Sequence, residues 1–286
     1  MNPIDPDLRI SSATLAVSDL GRSSDFYEQI LGLPVQRREP QRVLLGEQHA
    51  QPALVLSAIE HPQTPPPGAT GLFHIAWLHR TRAGLAETVR RVLAGGQRFE
   101  GASDHGVSEA LYLSDPDGLG IELYVDRPRE RWERPSDGRG VNMVTLPLDI
   151  EDLLAQFQDE PGAVIEPDTH IGHVHLKVSD VDRAGAFYAD QLGFEEQAHI
   201  PSAAFLSAGG YHHHVGLNSW QSAGGSAPPD NAPGLRRVQF TLSGEEAVDR
   251  LERQLSDAGG SPVTRDENGS LSVRDPDGQL LTFTGG

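Results

Sequence analysis

The chain repeats itself, and that repeat limits the folds open to it more than any other feature. Leu15-Ala16-Val17-Ser18-Asp19-Leu20 returns as Leu176-Lys177-Val178-Ser179-Asp180-Val181. Phe26-Tyr27 returns as Phe187-Tyr188, and Leu31-Gly32-Leu33 as Leu192-Gly193-Phe194, each 161 positions later. Asp115-Pro116-Asp117-Gly118 returns as Asp275-Pro276-Asp277-Gly278, 160 positions later. Four spacings held in register mark a tandem duplication.

Both halves share a local grammar. An alternating strand ends in Ser-Asp, a good helix N-cap; a short amphipathic helix carrying Phe-Tyr follows and stops at Leu-Gly. A second unit opens near Gly71 and near Gly234, each with a strand, a helix (82–93 and 245–258), a turn and two strands around Asp-Pro-Asp-Gly. The pattern predicts an α+β fold of four βαβββ modules, at 8–60, 70–127, 170–220 and 234–284. In chain order these make two domains of paired, cup-shaped mixed β-sheet, 8–127 and 170–284. Residues 128–169 read as a linker wrapped on the surface, with one short helix near 150–157.

Composition narrows the function. Cysteine is absent, so a metal here must be held by nitrogen and oxygen. The net charge of −18 repels phosphate backbones and anionic lipid, which argues against nucleic-acid and membrane partners and leaves a neutral aromatic substrate unpenalised. No apolar run approaches the ~20 residues that span a bilayer, and the first ten residues lack the basic and apolar regions of a signal peptide. A cytoplasmic protein, with homo-oligomerisation left open, is the expectation.

The opening His173-Val174-His175-Leu176-Lys177-Val178-Ser179-Asp180, with Phe187-Tyr188 and Leu192-Gly193-Phe194, and the closing Tyr112…Asp115-Pro116-Asp117-Gly118…Ile121-Glu122 resemble the vicinal oxygen chelate superfamily. That superfamily includes extradiol ring-cleaving dioxygenases, glyoxalase I and antibiotic-binding proteins. The resemblance spans nearly the whole chain, and its four-module form is most similar to the CatE-like catechol 2,3-dioxygenases. It implies metal ligands on the first and last strands of paired modules, on the concave face. Strand alternation tests which candidates point there. Val174, Leu176 and Val178 must pack on the helix, so His173, His175 and Lys177 face the cup. Phe73, Ile75 and Trp77 pack likewise and turn His74 inward, and Glu122 stands alone between Ile121 and Leu123. An inward carboxylate costs several kcal/mol unless it is metal-bound or, the alternative for Glu122, paired with an arginine.

Neither half alone offers two histidines and a carboxylate. Module one has Ser12 where module three has His173, and module four has Arg237 or Val238 near the position of His74 and Thr282 at that of Glu122. Modules two and three together supply His74, Glu122 and His173, so the middle modules are expected to form the metal cup and modules one and four a metal-free scaffold. A 2-His-1-carboxylate face suits Fe²⁺ binding a catecholate and O₂ side by side. The resemblance also admits a glyoxalase-like isomerase or lyase with Mn²⁺, Zn²⁺ or Ni²⁺, and a non-enzymatic protein binding an aromatic drug or metabolite.

The stretch from His105 to Glu122 is similar to the extradiol dioxygenase signature, which implies that His105 and Tyr112 hydrogen-bond an aromatic diol. The alternatives are a solvated loop histidine and a rim tyrosine. Extradiol enzymes carry a run like Tyr211-His212-His213-His214, whose second histidine is the acid–base group; alignment puts that role on His213. A register shifted by one would select His212 and His214 instead, on a common strand face. His175 and His214 are further candidates for substrate contact. His49, His61, His79, His170 and His199 read as surface residues.

Overall fold

The computed structural model describes residues 2–286 apart from 49, 137, 139 and 260. Module one comprises β1 (Arg9–Val17), α1 (Leu20–Asp25), β2 (Val35–Glu39), β3 (Arg42–Leu45) and β4 (Leu54–Ala58). Module two comprises β5 (Gly71–His79), α2 (Arg82–Ala94), β6 (Gly101–Asp104), β7 (Ser108–Ser114) and β8 (Gly120–Asp126). The linker contributes β9 (Leu146–Pro147) and α3 (Ile150–Leu154). Module three follows with β10 (His170–Lys177), α4 (Val181–Ala186), β11 (Glu195–Ile200), β12 (Ala203–Ser207) and β13 (Val215–Asn218). Module four has β14 (Gly234–Leu242), α5 (Glu245–Ala258), β15 (Thr264–Arg265), β16 (Leu271–Arg274) and β17 (Leu280–Gly285).

The modules pair across the halves of the chain. One eight-stranded sheet runs β15-β16-β17-β14-β1-β4-β3-β2 and joins modules one and four; a nine-stranded sheet runs β11-β12-β13-β10-β5-β8-β7-β6-β9 and joins modules two and three. Each sheet is mixed, with β1 parallel to β4 and antiparallel to β14, and β10 parallel to β13 and antiparallel to β5. The apolar face of each sheet packs under the helices, and both contribute to one core that includes Leu15, Leu56, Trp77, Leu123, Val174 and Phe240.

The repeated motifs explain how neighbouring modules in the chain stay joined. The Tyr27 hydroxyl donates to Asp115 Oδ2 at 3.1 Å, and Tyr188 to Asp275 Oδ2 at 3.2 Å. Ser18 and Ser179 give their backbone N–H and hydroxyl groups to Asp117 and Asp277. The Asp-Pro-Asp-Gly turn of the second unit thus clamps the strand end and helix of the first. Among the described residues, no helix is long and apolar enough to cross a membrane.

Two expectations need correction. The linker is more than a surface wrap: Trp132, Val141 and Ile165 are buried, and β9 adds a ninth strand beside β6. Trp132 and Val141 pack with Val107 and Tyr211, so the linker walls one side of the middle-module sheet. Its apolar residues are too scattered to show a period. His79, expected at the surface, is only 1% exposed, whereas His61, His170 and His199 are exposed and His49 lies outside the described residues. The eight residues before His79 are all strand, so it continues β5 into the interior rather than ending it.

Burial, with Arg91 nearby, pushes His79 down to about 3 from an ordinary 6.5. Above pH 6.5 it is neutral folded or unfolded. Between about 6.5 and about 3 the unfolded chain binds a proton that the folded one refuses, so stability falls as pH falls through this window. Urea unfolding should therefore lose stability less steeply between pH 6.5 and pH 4 in His79→Gln than in the wild type. Equal slopes would contradict this.

Candidate metal centre

Three adjacent strands, β10, β5 and β8, bring the centre together. Their registers put His173 opposite Ala76 and Ala76 opposite Glu122, so imidazole and carboxylate flank a small side chain and lean over it. His74 sits two residues before Ala76 on the same face. The outcome is one group in which a ligand atom from each of His74, Glu122 and His173 lies within 4.8 Å of the others. His74 Nε2 is 2.9 Å and His173 Nε2 is 3.0 Å from the same carboxylate oxygen, Glu122 Oε2.

Bulges tune this arrangement. The β10–β5 ladder slips between Ile171 and His173, leaving Gly172 as the extra residue, and a Cβ there would run into the Tyr124 hydroxyl. It slips again where His175 and Leu176 face His74 and Leu72, leaving Phe73 extra. Phe73 therefore does not pack under the helix as alternation predicts. Its ring lies 5.2 Å from His74, 5.1 Å from His175 and 5.3 Å from Trp220, on the cup side. Leu72 takes its place in the core.

The electrostatics suit a cation. All three side chains are buried, and among the described residues no arginine pairs with Glu122. Burial pushes the Glu122 carboxyl up, but His173 and His74 beside it hold it well below the usual carboxylate range. Burial pushes His173 down to about 4, against the pull of Glu122, so it is neutral and keeps one ring lone pair, and an ion would replace the proton its Nε2 gives to Glu122. His74 Nε2, though at hydrogen-bond distance from Glu122 Oε2, makes no hydrogen bond of acceptable geometry and is sealed from solvent. An orphaned imidazole nitrogen, a second imidazole and a carboxylate converging on one point is the donor set of a divalent metal, and these residues fit one.

The other candidates surround this point unequally. Tyr112 pairs with Glu122 across β7–β8, its ring 5.7 Å from that of His74, and its hydroxyl is 2.7 Å from His105 Nε2. His105 is held from behind by the linker, its Nδ1 2.7 Å from the Val144 carbonyl. The His175 ring is 5.0 Å from that of His74, with Nε2 buried and unpartnered. Gly216 makes room for it, because a Cβ there would meet the ring at 2.8 Å. His212, His213 and His214 precede β13 rather than open it, so strand alternation does not govern them. The His213 ring is 4.0 Å from that of His173, and His212 is bonded to His213. His214 turns away, its Nδ1 accepting from the Ala208 N–H at 3.1 Å.

Tyr124, Asp126 and Tyr211 line the same region and are not among the residues expected there. Tyr124 and Asp126 share the face of Glu122 by simple alternation, so the signal was present in β8. Among the described residues the second sheet holds no such centre. Its registers set Ser12 against Gln239, Thr14 against Arg237 and Gln239 against Thr282, which makes Ser12, Arg237 and Thr282 the counterparts of His173, His74 and Glu122.

Paired βαβββ modules around a His₂-carboxylate cup define a class, and residues 9–123 and 170–283 match the Glyoxalase/Bleomycin resistance protein/Dioxygenase superfamily. The chain belongs to that superfamily. It is 41% identical to a catechol-2,3-dioxygenase of Bacillus subtilis (strain 168) over 289 residues, covering 99% of each chain. It is 32% identical over 84 residues to biphenyl-2,3-diol 1,2-dioxygenase 2 of Rhodococcus globerulus, covering 29% of this chain and 44% of the relative. Among solved structures, a putative dioxygenase from Bacillus subtilis superposes with a TM-score of 0.66 at 15% identity, covering 99% of this chain and 86% of the other. Glyoxalase I from Zea mays superposes at 0.58 and 16%, covering 98% and 92%. These structures speak to the fold alone.

Removing the carboxylate should empty the centre without unfolding the chain. Glu122→Ala is expected to bind less than about a tenth of a divalent ion per chain by elemental analysis while keeping the wild-type circular dichroism. Full occupancy in that variant would show that the ion sits elsewhere.

Proposed function

We propose that this protein is an Fe(II)-dependent extradiol dioxygenase that cleaves catechol or a substituted catechol beside its diol, acting in the cytoplasm. The observation that carries this reading is the convergence of His74 Nε2, His173 Nε2 and Glu122 Oε2 on one buried point flanked by His105, Tyr112 and His213. The full-length similarity to a catechol-2,3-dioxygenase supports it. So does the single carboxylate in the group, which leaves no second one to act as a base.

His74, His173 and Glu122 would hold the ion, and Fe²⁺ on such a face supplies Lewis acidity together with open positions for a diol and O₂. The remaining residues handle protons and orientation. Burial and the Glu122 charge push the Tyr112 phenol up, so it stays protonated and is a hydrogen-bond donor at working pH. Its contact with His105 fixes the direction of that hydroxyl. Burial and the surrounding imidazoles push His213 down, so it rests neutral, the form that can act as a base toward the diol. A protein with a net charge of −18 favours an uncharged phenolic substrate over a polyanion.

Loading with Fe²⁺ under argon, then adding catechol and O₂, should produce a yellow ring-opened product with one O₂ consumed per catechol. O₂ uptake without ring opening, or no uptake, would contradict the reading. His213→Gln should keep its iron and lose roughly 10²–10⁴ in kcat, the range of one general acid–base group, with KM for catechol little changed.

A further inference from the structure

Behind His213 a hydrogen-bonded chain leads away from the cup. His213 Nδ1 lies 2.8 Å from His212 Nδ1, and His212 Nε2 lies 2.9 Å from Asp126 Oδ1. The Tyr211 hydroxyl also donates to Asp126 Oδ1, at 3.2 Å, and is itself 2.8 Å from the Tyr124 hydroxyl. The His212 side chain is almost wholly buried, while Asp126, at the end of β8, is partly exposed. The chain therefore ties the last residue of a module-two strand to the histidine run of module three.

Its directionality follows from which groups can donate. A carboxylate only accepts, so the His212–Asp126 bond requires the His212 proton on Nε2. With one ring proton, His212 then has a bare Nδ1, and the 2.8 Å contact is a bond only if His213 donates from its own Nδ1. That leaves His213 Nε2 without a proton. This nitrogen has no hydrogen-bond partner among the described residues, and its ring lies tilted against that of His173, centroids 4.0 Å apart. Tyr124 and Tyr211 hold the carboxylate in place, because Tyr211 spends its proton on Asp126 and Tyr124 must donate to Tyr211.

We propose that Asp126 and His212 are positioning residues that set the tautomer of His213, keeping its Nε2 lone pair available in the cup. The proposal rests on His213 being the acid–base group. Asp126→Asn tests it, because His212 Nε2 and the Tyr211 hydroxyl both meet Oδ1, and an amide nitrogen in that place donates to both while Tyr211 turns its own proton to Tyr124. That donation reverses the chain: His212 carries its proton on Nδ1, and His213 must carry its own on Nε2.

The readout independent of activity is ¹⁵N NMR of the histidine rings in protein loaded with Zn²⁺ as a diamagnetic ion. The wild type should show His213 protonated at Nδ1 and bare at Nε2, and Asp126→Asn the inverse. In the Fe²⁺ form, Asp126→Asn should lower kcat roughly 10²-fold with KM for catechol within about twofold, and Asp126→Glu should recover most of the loss. His213 protonated at Nε2 in the wild type, or the same tautomer in both proteins, would overturn the proposal. If the tautomers switch as expected while the wild type fails to open catechol, the positioning stands and the dioxygenase reading falls.

Discussion

A single buried carboxylate governs this molecule. Glu122 sits inside a sheet, away from every arginine among the described residues, with two imidazole nitrogens about 3 Å from one of its oxygens. Isolated, such a charge costs several kcal/mol, and His173, which its own burial holds neutral, offsets little of that. A divalent cation resolves the conflict for all three side chains at once. The strand order that brings β10, β5 and β8 side by side, the small Ala76 between His173 and Glu122, and the two bulges all serve to bring these groups to one point.

Duplication explains why the described residues form two sheets but one such centre. Both sheets use the same registers, including paired slips in the ladder where the two middle strands meet. In the eight-stranded sheet the equivalent positions carry Ser12, Arg237 and Thr282. A guanidinium in place of an imidazole offers a positive charge and no lone pair, and two short hydroxyls supply no anionic ligand. Modules one and four are held to the rest by the Tyr27–Asp115 and Tyr188–Asp275 clamps. These join modules that follow one another in the chain, whereas the sheets join modules from opposite halves.

Much of this was legible from residues alone, because repeats and alternation are local signals. The offset between Val17 and Val178 counts the modules, and the missing ligands at Ser12 and Thr282 point to a cup shared by modules two and three. What stayed hidden depends on geometry that alternation cannot express. Phe73 faces the cup only because a bulge makes it the extra residue. Alternation treats the three consecutive histidines as strand, whereas they precede β13, so His212 and His213 bond to each other rather than point to opposite faces. The linker's Val144 carbonyl behind His105 is a tertiary contact that no motif announces.

The place where a metal binds decides whether Glu122 is the centre of this molecule. Crystals grown anaerobically with Fe²⁺ and measured on both sides of the iron absorption edge would locate it by anomalous difference density. One peak is expected per chain, about 2.0–2.2 Å from His74 Nε2, His173 Nε2 and Glu122 Oε2. A peak between Ser12, Arg237 and Thr282, or density in the cup bound by other residues with Glu122 turned away, would contradict it.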